Sequence, residues 1–231
     1  VLSTGLNIDP IVVVQKAVPG LYSDISSVEI DTYLAETAAA LTVEHPDYSY
    51  LAARIKVNSL HKETPGFIIA TKNLYDDGLL REDYYKKVME NADLIESVID
   101  YDKDYTFDYF ALTTLIRAYL LKFDNKTIER PQDLWMRVTL TVTGNEFNLD
   151  KIKETYKSLS TGMYTHATPT LFNSGLKMQQ LSSCFLIGME DDSIEGIFNT
   201  IKDCALISKT AGGIGMHAHN IRGSGSRIKS T

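Results

Sequence analysis

Cysteine is nearly absent from this sequence, which contains only Cys184 and Cys204 among 231 residues. Two thiols twenty residues apart, without further metal-ligating side chains at short spacing, exclude a disulfide scaffold and a zinc site. Free thiols persist in a reducing compartment. We therefore predict a cytoplasmic protein whose own side chains hold no metal.

Long apolar runs and an excess of basic residues are also missing. The apolar cluster at residues 11–14 is far shorter than a bilayer span, and residues 1–5 lack the features of a signal peptide. The 23 Lys and Arg residues are scattered and outnumbered by 30 Asp and Glu residues, giving a net charge of −7. We therefore expect neither a membrane nor a nucleic acid as partner, and any phosphate must be held locally.

The hydrophobic content of 44% is sufficient for one large domain or two smaller ones. Caps and prolines predict three helices in the first third, at residues 10–18, 27–41 and 47–63. The second has the spacing of a capping box. The first carries an apolar stripe of Ile11, Val14, Ala17 and Val18.

The middle of the chain also has helical periodicity, at residues 82–99, 110–121, 131–142 and 149–159. After it the pattern changes. Residues 168–175 are rich in turn formers, residues 181–187 predict a buried strand, residues 193–210 a helix with an apolar inward face, and residues 215–221 a second strand. Strand, helix and strand form a βαβ unit, so the sequence predicts an α/β fold in which a parallel sheet or barrel begins here.

Cys184 can be interpreted in two ways. A free cysteine in an apolar strand is most often a small buried hydrophobe. Against this, Ser182 and Ser183 bring two hydroxyls that need hydrogen-bond partners and would suit a bound sugar, which would make the thiol a redox group. Cys204 falls on the apolar stripe of its helix and is interpreted as structural.

A second group of candidates surrounds the same helix. Asp192 and Ser193 precede it, either as an ordinary N-cap or as an anion site at a helix start. Lys209 and Arg222 are either solvated bases or phosphate ligands. The glycines at 212, 213 and 215 indicate either a helix C-cap turn or a close approach of backbone to ligand.

Several strings resemble the large catalytic subunit of class I ribonucleotide reductase, eukaryotic type. They run in the family's order over almost the whole chain: 32–40 (TYLAETAAA), 45–48 (HPDY), 51–55 (LAARI), 60–64 (LHKET), 165–173 (THATPTLFN), 181–186 (LSSCFL), 191–197 (DDSIEGI), 204–209 (CALISK), 211–215 (AGGIG) and 221–226 (IRGSGS).

The resemblance implies radical-based reduction of ribonucleoside diphosphates to 2′-deoxyribonucleoside diphosphates within a ten-stranded α/β barrel, of which only the first strands are present. Cys184 matches the first cysteine of the redox pair that thioredoxin or glutaredoxin re-reduces. Thr168, Ser183 and Gly213 match substrate-binding positions, although relatives usually have serine where Thr168 stands. The implied domains are 1–64, a partial ATP-cone-like domain; 65–160, helical; and 161–231, the start of the barrel.

The resemblance also implies nucleotide control. ATP, dATP and other deoxynucleoside triphosphates are the expected effectors, with Mg²⁺ and without a covalently bound cofactor. The specificity site at a homodimer interface corresponds to Asp192, Ser193, Ile194, Lys209 and Arg222. The ATP-cone site corresponds to Ser27, Asp31 and Lys62, but the cone's opening basic strand is missing.

The family's radical cysteine, its second redox cysteine and its radical-transfer tyrosines are expected beyond Thr231, and a small subunit is expected to supply the radical. The sequence lacks an initiator Met, so we expect a piece of a longer protein that is inactive alone. Two alternatives stay open. A non-catalytic nucleotide-binding regulatory chain would lack an Asn-x-Cys-x-Glu stretch in the complete gene, and a glycyl-radical enzyme would carry a glycine-radical motif near its C-terminus.

Overall fold

The computed structural model describes residues 2–228, and its architecture is mainly helical. Contacts divide the chain into two compact units. The first runs to Thr165 and includes Gly175–Lys177, and the second comprises His166–Ser174 and the chain from Met178 onward. The finer predicted domains, 1–64, 65–160 and 161–231, stay predictions.

The first unit contains nine α-helices and a short antiparallel hairpin among the described residues. The helices are α1 (Pro10–Ala17), α2 (Ser27–Ala40), α3 (Asp47–Glu63), α4 (Phe67–Asp76), α5 (Glu82–Glu90), α6 (Ala92–Glu96), α7 (Tyr109–Thr114), α8 (Pro131–Val142) and α9 (Leu149–Ser160). A π-helical turn, Leu115–Tyr119, follows α7, and the hairpin pairs β1 (Lys122–Phe123) with β2 (Lys126–Thr127).

The three predicted N-terminal helices are confirmed. Local interactions determine where each of them begins or ends. Asp9 accepts a hydrogen bond from the Ile11 N–H at 2.9 Å. Glu29 accepts one from the Ser26 N–H at 2.9 Å, completing the capping box of α2. Thr64 takes an extended conformation before proline and so ends α3.

The predicted apolar stripe of α1 is wrong for three of its four residues. Val13 and Ala17 are buried, whereas Ile11, Val14 and Val18 are exposed. Val13 packs in a cluster with Ala38, Leu41, Tyr48, Leu51 and Ala52 from α2, α3 and the turn between them. Because α1 is apolar on more than one side, periodicity could not indicate which side faces this cluster.

Two of the middle predictions need correction. The helix predicted at 82–99 is broken at Asn91, whose φ of −125° and ψ of 23° interrupt it between α5 and α6. The helix predicted at 110–121 begins at Tyr109 and changes to the π-helical turn after Thr114. The helices predicted at 131–142 and 149–159 are confirmed as α8 and α9.

Helix α8 is the most deeply buried helix of the first unit, with all ten residues from Pro131 to Leu140 buried. The carboxylate of Asp133 accepts hydrogen bonds from the Tyr101 hydroxyl at 2.7 Å and from the Arg130 backbone N–H at 2.9 Å. Burial nevertheless raises the pKa of Asp133 from 3.8 to about 7, because loss of hydration disfavours the charged form more than these bonds favour it.

This carboxyl group should make stability pH-dependent. Between about pH 4 and pH 7 the folded chain keeps a proton that the unfolded chain has released, so the contribution of Asp133 to stability falls as the pH rises through this window. We expect Asp133→Asn to remove this pH dependence of the unfolding free energy, which amounts to at most about 1.4 kcal/mol per pH unit. Urea unfolding at several pH values, followed by Trp135 fluorescence, measures it. The exposed Asp150→Asn is the matched control, and an unchanged slope in Asp133→Asn contradicts the assignment.

The second unit is a βαβ unit preceded by a short helix. Helix α10 (Thr168–Asn173) is followed by strand β3 (Cys184–Gly188), helix α11 (Ile194–Ser208) and strand β4 (Gly213–His217). The two strands pair in parallel, with Cys184 opposite Gly213 and Gly188 opposite His217. The predicted strand, helix, strand order is confirmed.

Three details of the second unit differ from expectation. The turn-rich segment forms α10, because Pro169 in the first turn favours a helix start. Strand β3 is not buried, and Leu186 is 93% exposed. The predicted inward face of α11 is also exposed at Ile194, Phe198 and Ile201, since the described sheet has only two strands to cover it.

The glycines after α11 do not form its C-cap. Ala211 takes the left-handed conformation there, with φ of 64°, and Gly213 and Gly215 lie within β4. A Cβ on Gly212 would lie 2.6 Å from Ile207 Cγ2 and 2.9 Å from Phe185 Cε2. Gly212 is therefore required for close packing.

Candidate functional site

The Cys184 thiol lies at the beginning of β3 and is exposed and free. Opposite it on β4, the Gly213 N–H donates to the Ser183 carbonyl oxygen at 2.7 Å. A Cβ at Gly213 would lie 3.5 Å from Cys184 Sγ and 3.3 Å from that carbonyl oxygen. A side chain at position 213 would therefore crowd the sulfur and this carbonyl oxygen.

Helix α10 positions the segment that leads to Cys184. The Thr170 hydroxyl donates to the Leu181 carbonyl oxygen at 2.9 Å, and the Asn173 amide donates to the Gln180 carbonyl oxygen at 2.7 Å. Thr168, predicted to bind substrate, is the first residue of this helix. Sequence reasoning missed the positioning role of Thr170 and Asn173, although both lie in the THATPTLFN string.

Asp192 and Arg222 are joined across 30 residues of sequence. Arg222 Nε donates to Asp192 Oδ2 at 2.7 Å, the Arg222 backbone N–H reaches the same oxygen at 3.3 Å, and a terminal guanidinium nitrogen donates to the Asp192 carbonyl oxygen at 3.0 Å. Both side chains are partly exposed, at 28% and 40%. The pair therefore presents a fixed guanidinium and a carboxylate together at the surface.

The start of α11 lies directly beside this pair. Ser193 is its N-cap and accepts a hydrogen bond from the Gly196 N–H at 3.0 Å. Ile194 follows as the first helical residue and is 75% exposed. Four of the five predicted specificity-site residues, Asp192, Ser193, Ile194 and Arg222, are thus brought together.

The fifth, Lys209, lies at the other end of the helix. It is the C-cap residue of α11, and 15 helical residues at 1.5 Å each place it roughly 22 Å from Ser193. One copy of this chain cannot bring Lys209 to the same small ligand as Asp192. The helix predicted over residues 193–210 already implied this separation, because it places the two residues at its opposite ends.

In the first unit, Lys62 and Asp31 form an ion pair, with Nζ and Oδ2 2.9 Å apart. Ser27, the third predicted ATP-cone residue, is the exposed first residue of α2, next to the N-cap Ser26. Within residues 2–228 no group of three or more His, Cys, Asp or Glu side chains is placed to hold a metal ion. Across the same residues, none of the helices has the length and apolarity needed to cross a membrane.

Comparison with known proteins gives consistent matches along the chain. The family model of the ribonucleotide reductase all-alpha domain matches residues 105–179, and that of the ribonucleotide reductase barrel domain matches residues 182–231. Together these ranges span more than half of the chain.

Similar curated proteins include the ribonucleoside-diphosphate reductase large chain of Schizosaccharomyces pombe, with 46% identity over 97% of this chain and 29% of its own length. The large subunit of Arabidopsis thaliana is 45% identical over 100% of this chain and 30% of its own length. That of vaccinia virus is 46% identical over 100% of this chain and 31% of its own length. The chain thus spans less than a third of the length of each of these relatives.

Proposed function

Because this chain belongs to the ribonucleotide reductase large-subunit family, we propose that it is the N-terminal part of a ribonucleoside-diphosphate reductase. The complete subunit reduces ribonucleoside diphosphates to 2′-deoxyribonucleoside diphosphates, the precursors of DNA. The observation that carries the proposal is the exposed, free Cys184 thiol at the beginning of β3, opposite Gly213 on β4.

The proposed reaction replaces the 2′ C–O bond by C–H and releases water, which consumes two electrons and two protons. Two thiols supply both by forming a disulfide. Cys184 is one of them, and the second belongs to the part of the subunit beyond Thr231. Thioredoxin or glutaredoxin restores the thiols by exchange, and a small subunit supplies the radical. Ser183, Thr168 and Gly213 bind the substrate around the thiol.

The parallel pair β3 and β4, with α11 between them in sequence, is proposed as the start of a ten-stranded α/β barrel. Leu186 and Met216, exposed on the two strands, are positioned to be covered by later parts of that barrel. Turnover tests the proposed function: the complete subunit, supplied with the small subunit and a dithiol reductant, should convert CDP to dCDP, and its failure to do so would contradict the proposal. The cytoplasmic location stays a prediction.

The effector site is proposed at the start of α11. There Asp192, Ser193, Ile194 and Arg222 hold a deoxynucleoside triphosphate or ATP with Mg²⁺, the anion facing the helix N-terminus. Ile194, Phe198 and Ile201 leave an apolar stripe exposed on α11, at helical spacing. Two copies pairing these stripes in antiparallel fashion would bring Lys209 of one copy to Asp192 of the other, which accounts for their separation within one chain.

We expect Asp192→Asn to weaken dTTP binding by the complete subunit about tenfold, because an amide cannot form the ion pair that fixes Arg222. Isothermal titration with dTTP measures the affinity. The matched control is Asp203→Asn, which removes an exposed carboxylate of the same helix. If Asp192→Asn binds dTTP like the control, Asp192 is not part of the effector site.

The first three helices are proposed as a partial ATP cone, in which Ser27, Asp31 and Lys62 contact ATP or dATP and set overall activity. Support comes from the Asp31–Lys62 ion pair, which places a cation and a carboxylate next to the exposed start of α2. The complete site would include the basic strand that precedes these helices in the family.

A further inference from the structure

Two histidines at the end of strand β4 face one another, and neither belongs to the proposed substrate or effector site. His217 is the last residue of β4, and His219 follows two residues later. Their Nδ1 atoms lie 2.6 Å apart, and their ring centroids are 4.5 Å apart with an interplanar angle of 39°. Both residues are exposed. At this distance one Nδ1 donates a proton and the other accepts it, so the two nitrogens share a single position for a positive charge.

The ring of His217 is positioned by the strand pair. Gly188 lies opposite His217 in the register of β3 and β4. A Cβ at Gly188 would lie 2.9 Å from His217 Nε2 and 3.0 Å from Cε1. The ring therefore rests on the glycine backbone, which a larger residue would not allow. With Nε2 against Gly188, the Nδ1 atom is directed to His219.

His219 lies between two residues that are attached to the chain after β3. The Met189 N–H donates to the His217 carbonyl oxygen at 3.0 Å. The Asn220 side-chain amide donates to the Met189 carbonyl oxygen at 2.8 Å. Because both neighbours of the segment are held by Met189, the backbone that carries the second imidazole is fixed relative to the first.

The arrangement of the two nitrogens suits a metal ion. Neutral imidazole is the commonest protein ligand of transition metals and can bind through Nδ1. Zinc–nitrogen bonds of about 2.0–2.1 Å place two ligands of one tetrahedral ion roughly 3.3 Å apart. His217 and His219 need to separate by less than about 1 Å to reach this distance. An ion could thus take the place of the shared proton.

The charge of the adjoining segments also favours a cation. Residues 189–192, which Met189 connects to the histidines, include Glu190, Asp191 and Asp192. The guanidinium of Arg222 is paired with Asp192, so its positive charge is compensated. The remaining carboxylates give these segments a negative charge, which attracts a divalent cation.

We propose that His217 and His219 bind a divalent transition-metal ion such as Zn²⁺ through their Nδ1 atoms, with water in the remaining positions. Imidazole suits Zn²⁺, Cu²⁺ and Ni²⁺, whereas Mg²⁺ prefers oxygen ligands. The proposal departs from the sequence-based prediction that this chain holds no metal, which rested on the isolation of its two cysteines. It uses neither Cys184 nor the effector residues and does not depend on the reductase proposal.

A bound ion would also restrain the chain that leads from β4 to Arg222. The two ligands lie within residues 217–222, and joining them through a metal makes local opening of this segment less favourable. Zn²⁺ should therefore slow hydrogen exchange of the amides at 218–222. This local effect identifies the site, even if the complete subunit binds further ions elsewhere.

Titration of the complete subunit with Zn²⁺, followed by calorimetry and by hydrogen exchange, tests the proposal. We expect His217→Ala and His219→Ala each to weaken Zn²⁺ binding at this site at least about tenfold, since even the loss of a residue that only supports a ligand has such an effect. His45→Ala removes a histidine of the first unit and is the matched control. Other sites contribute equally in every variant, so the difference from the unmodified protein reports on this pair alone.

Three results would overturn the proposal. Exchange at 218–222 that is insensitive to Zn²⁺ in the unmodified subunit would show that no ion binds there. Retention of this protection in both His217→Ala and His219→Ala would assign the ion to other ligands. Equal protection by Mg²⁺ at the same concentration would show a site for hard cations without a role for imidazole. An unchanged thermal unfolding curve, measured by circular dichroism, shows that each variant is folded.

Discussion

Cys184→Ser in the complete subunit should reduce CDP turnover with thioredoxin to below about one-thousandth of the unmodified rate. A serine hydroxyl cannot form a disulfide, so the two electrons needed to remove the 2′-hydroxyl have no donor at this position. The substitution changes one exposed atom at the beginning of β3 and leaves the pairing of Ser183 with Gly213 intact. Binding of dTTP at the start of α11 should therefore be unaffected.

The other thiol of the chain provides the control. Cys204 lies on α11, outside the β3–β4 pair that holds Cys184. Cys204→Ser should retain most of the turnover and all of the dTTP affinity. Normal turnover in Cys184→Ser would remove this residue from the mechanism. An equal loss of turnover in both variants would indicate that removing a thiol disturbs the structure and that neither thiol takes part in the reaction.

Local signals in the sequence predicted helix ends well. The Asp9 cap, the Ser26–Glu29 capping box and the extended Thr64 before proline each act within four residues, so no knowledge of the fold was needed. The βαβ order was also predictable from local patterns. Two strands that are connected by a helix usually pair in parallel, as β3 and β4 do.

Burial was predicted poorly, because it depends on partners that periodicity cannot identify. Val14 and Val13 are adjacent and equally apolar, yet only Val13 faces α2 and α3. The apolar faces of β3 and α11 were expected inside and are exposed in the described chain. An apolar pattern indicates that a surface is to be covered, not which element covers it.

The candidate site was predictable in its parts and not in its arrangement. Ser183 and Cys184 are adjacent in sequence, so their proximity follows from covalent geometry. Asp192 and Arg222 are 30 residues apart in sequence, and they form their ion pair because β4 lies beside β3.

Arg137→Met should destabilise the chain by about 3–5 kcal/mol, the largest stability effect that the structure indicates for one ion pair. Arg137 lies on α8 and donates to both carboxylate oxygens of Glu129, at 2.6 and 3.0 Å, and the two side chains are 2% and 3% exposed. Glu129 also accepts the Leu121 N–H at 3.0 Å. Methionine would fill much of the space but leave a buried carboxylate without its cation.

The double variant Glu129→Gln/Arg137→Met separates the charge effect from the packing effect. Glutamine keeps an acceptor for the Leu121 N–H and removes the unpaired charge, so most of the lost stability should return. Urea unfolding measures all variants through Trp135, the single tryptophan, which lies two residues from Arg137 on α8. The exposed pair Glu82 and Lys86 is the matched control, and Lys86→Met should leave the unfolding curve unchanged. If Arg137→Met also leaves the unfolding curve unchanged, water reaches Glu129 and the ion pair does not stabilise the first unit.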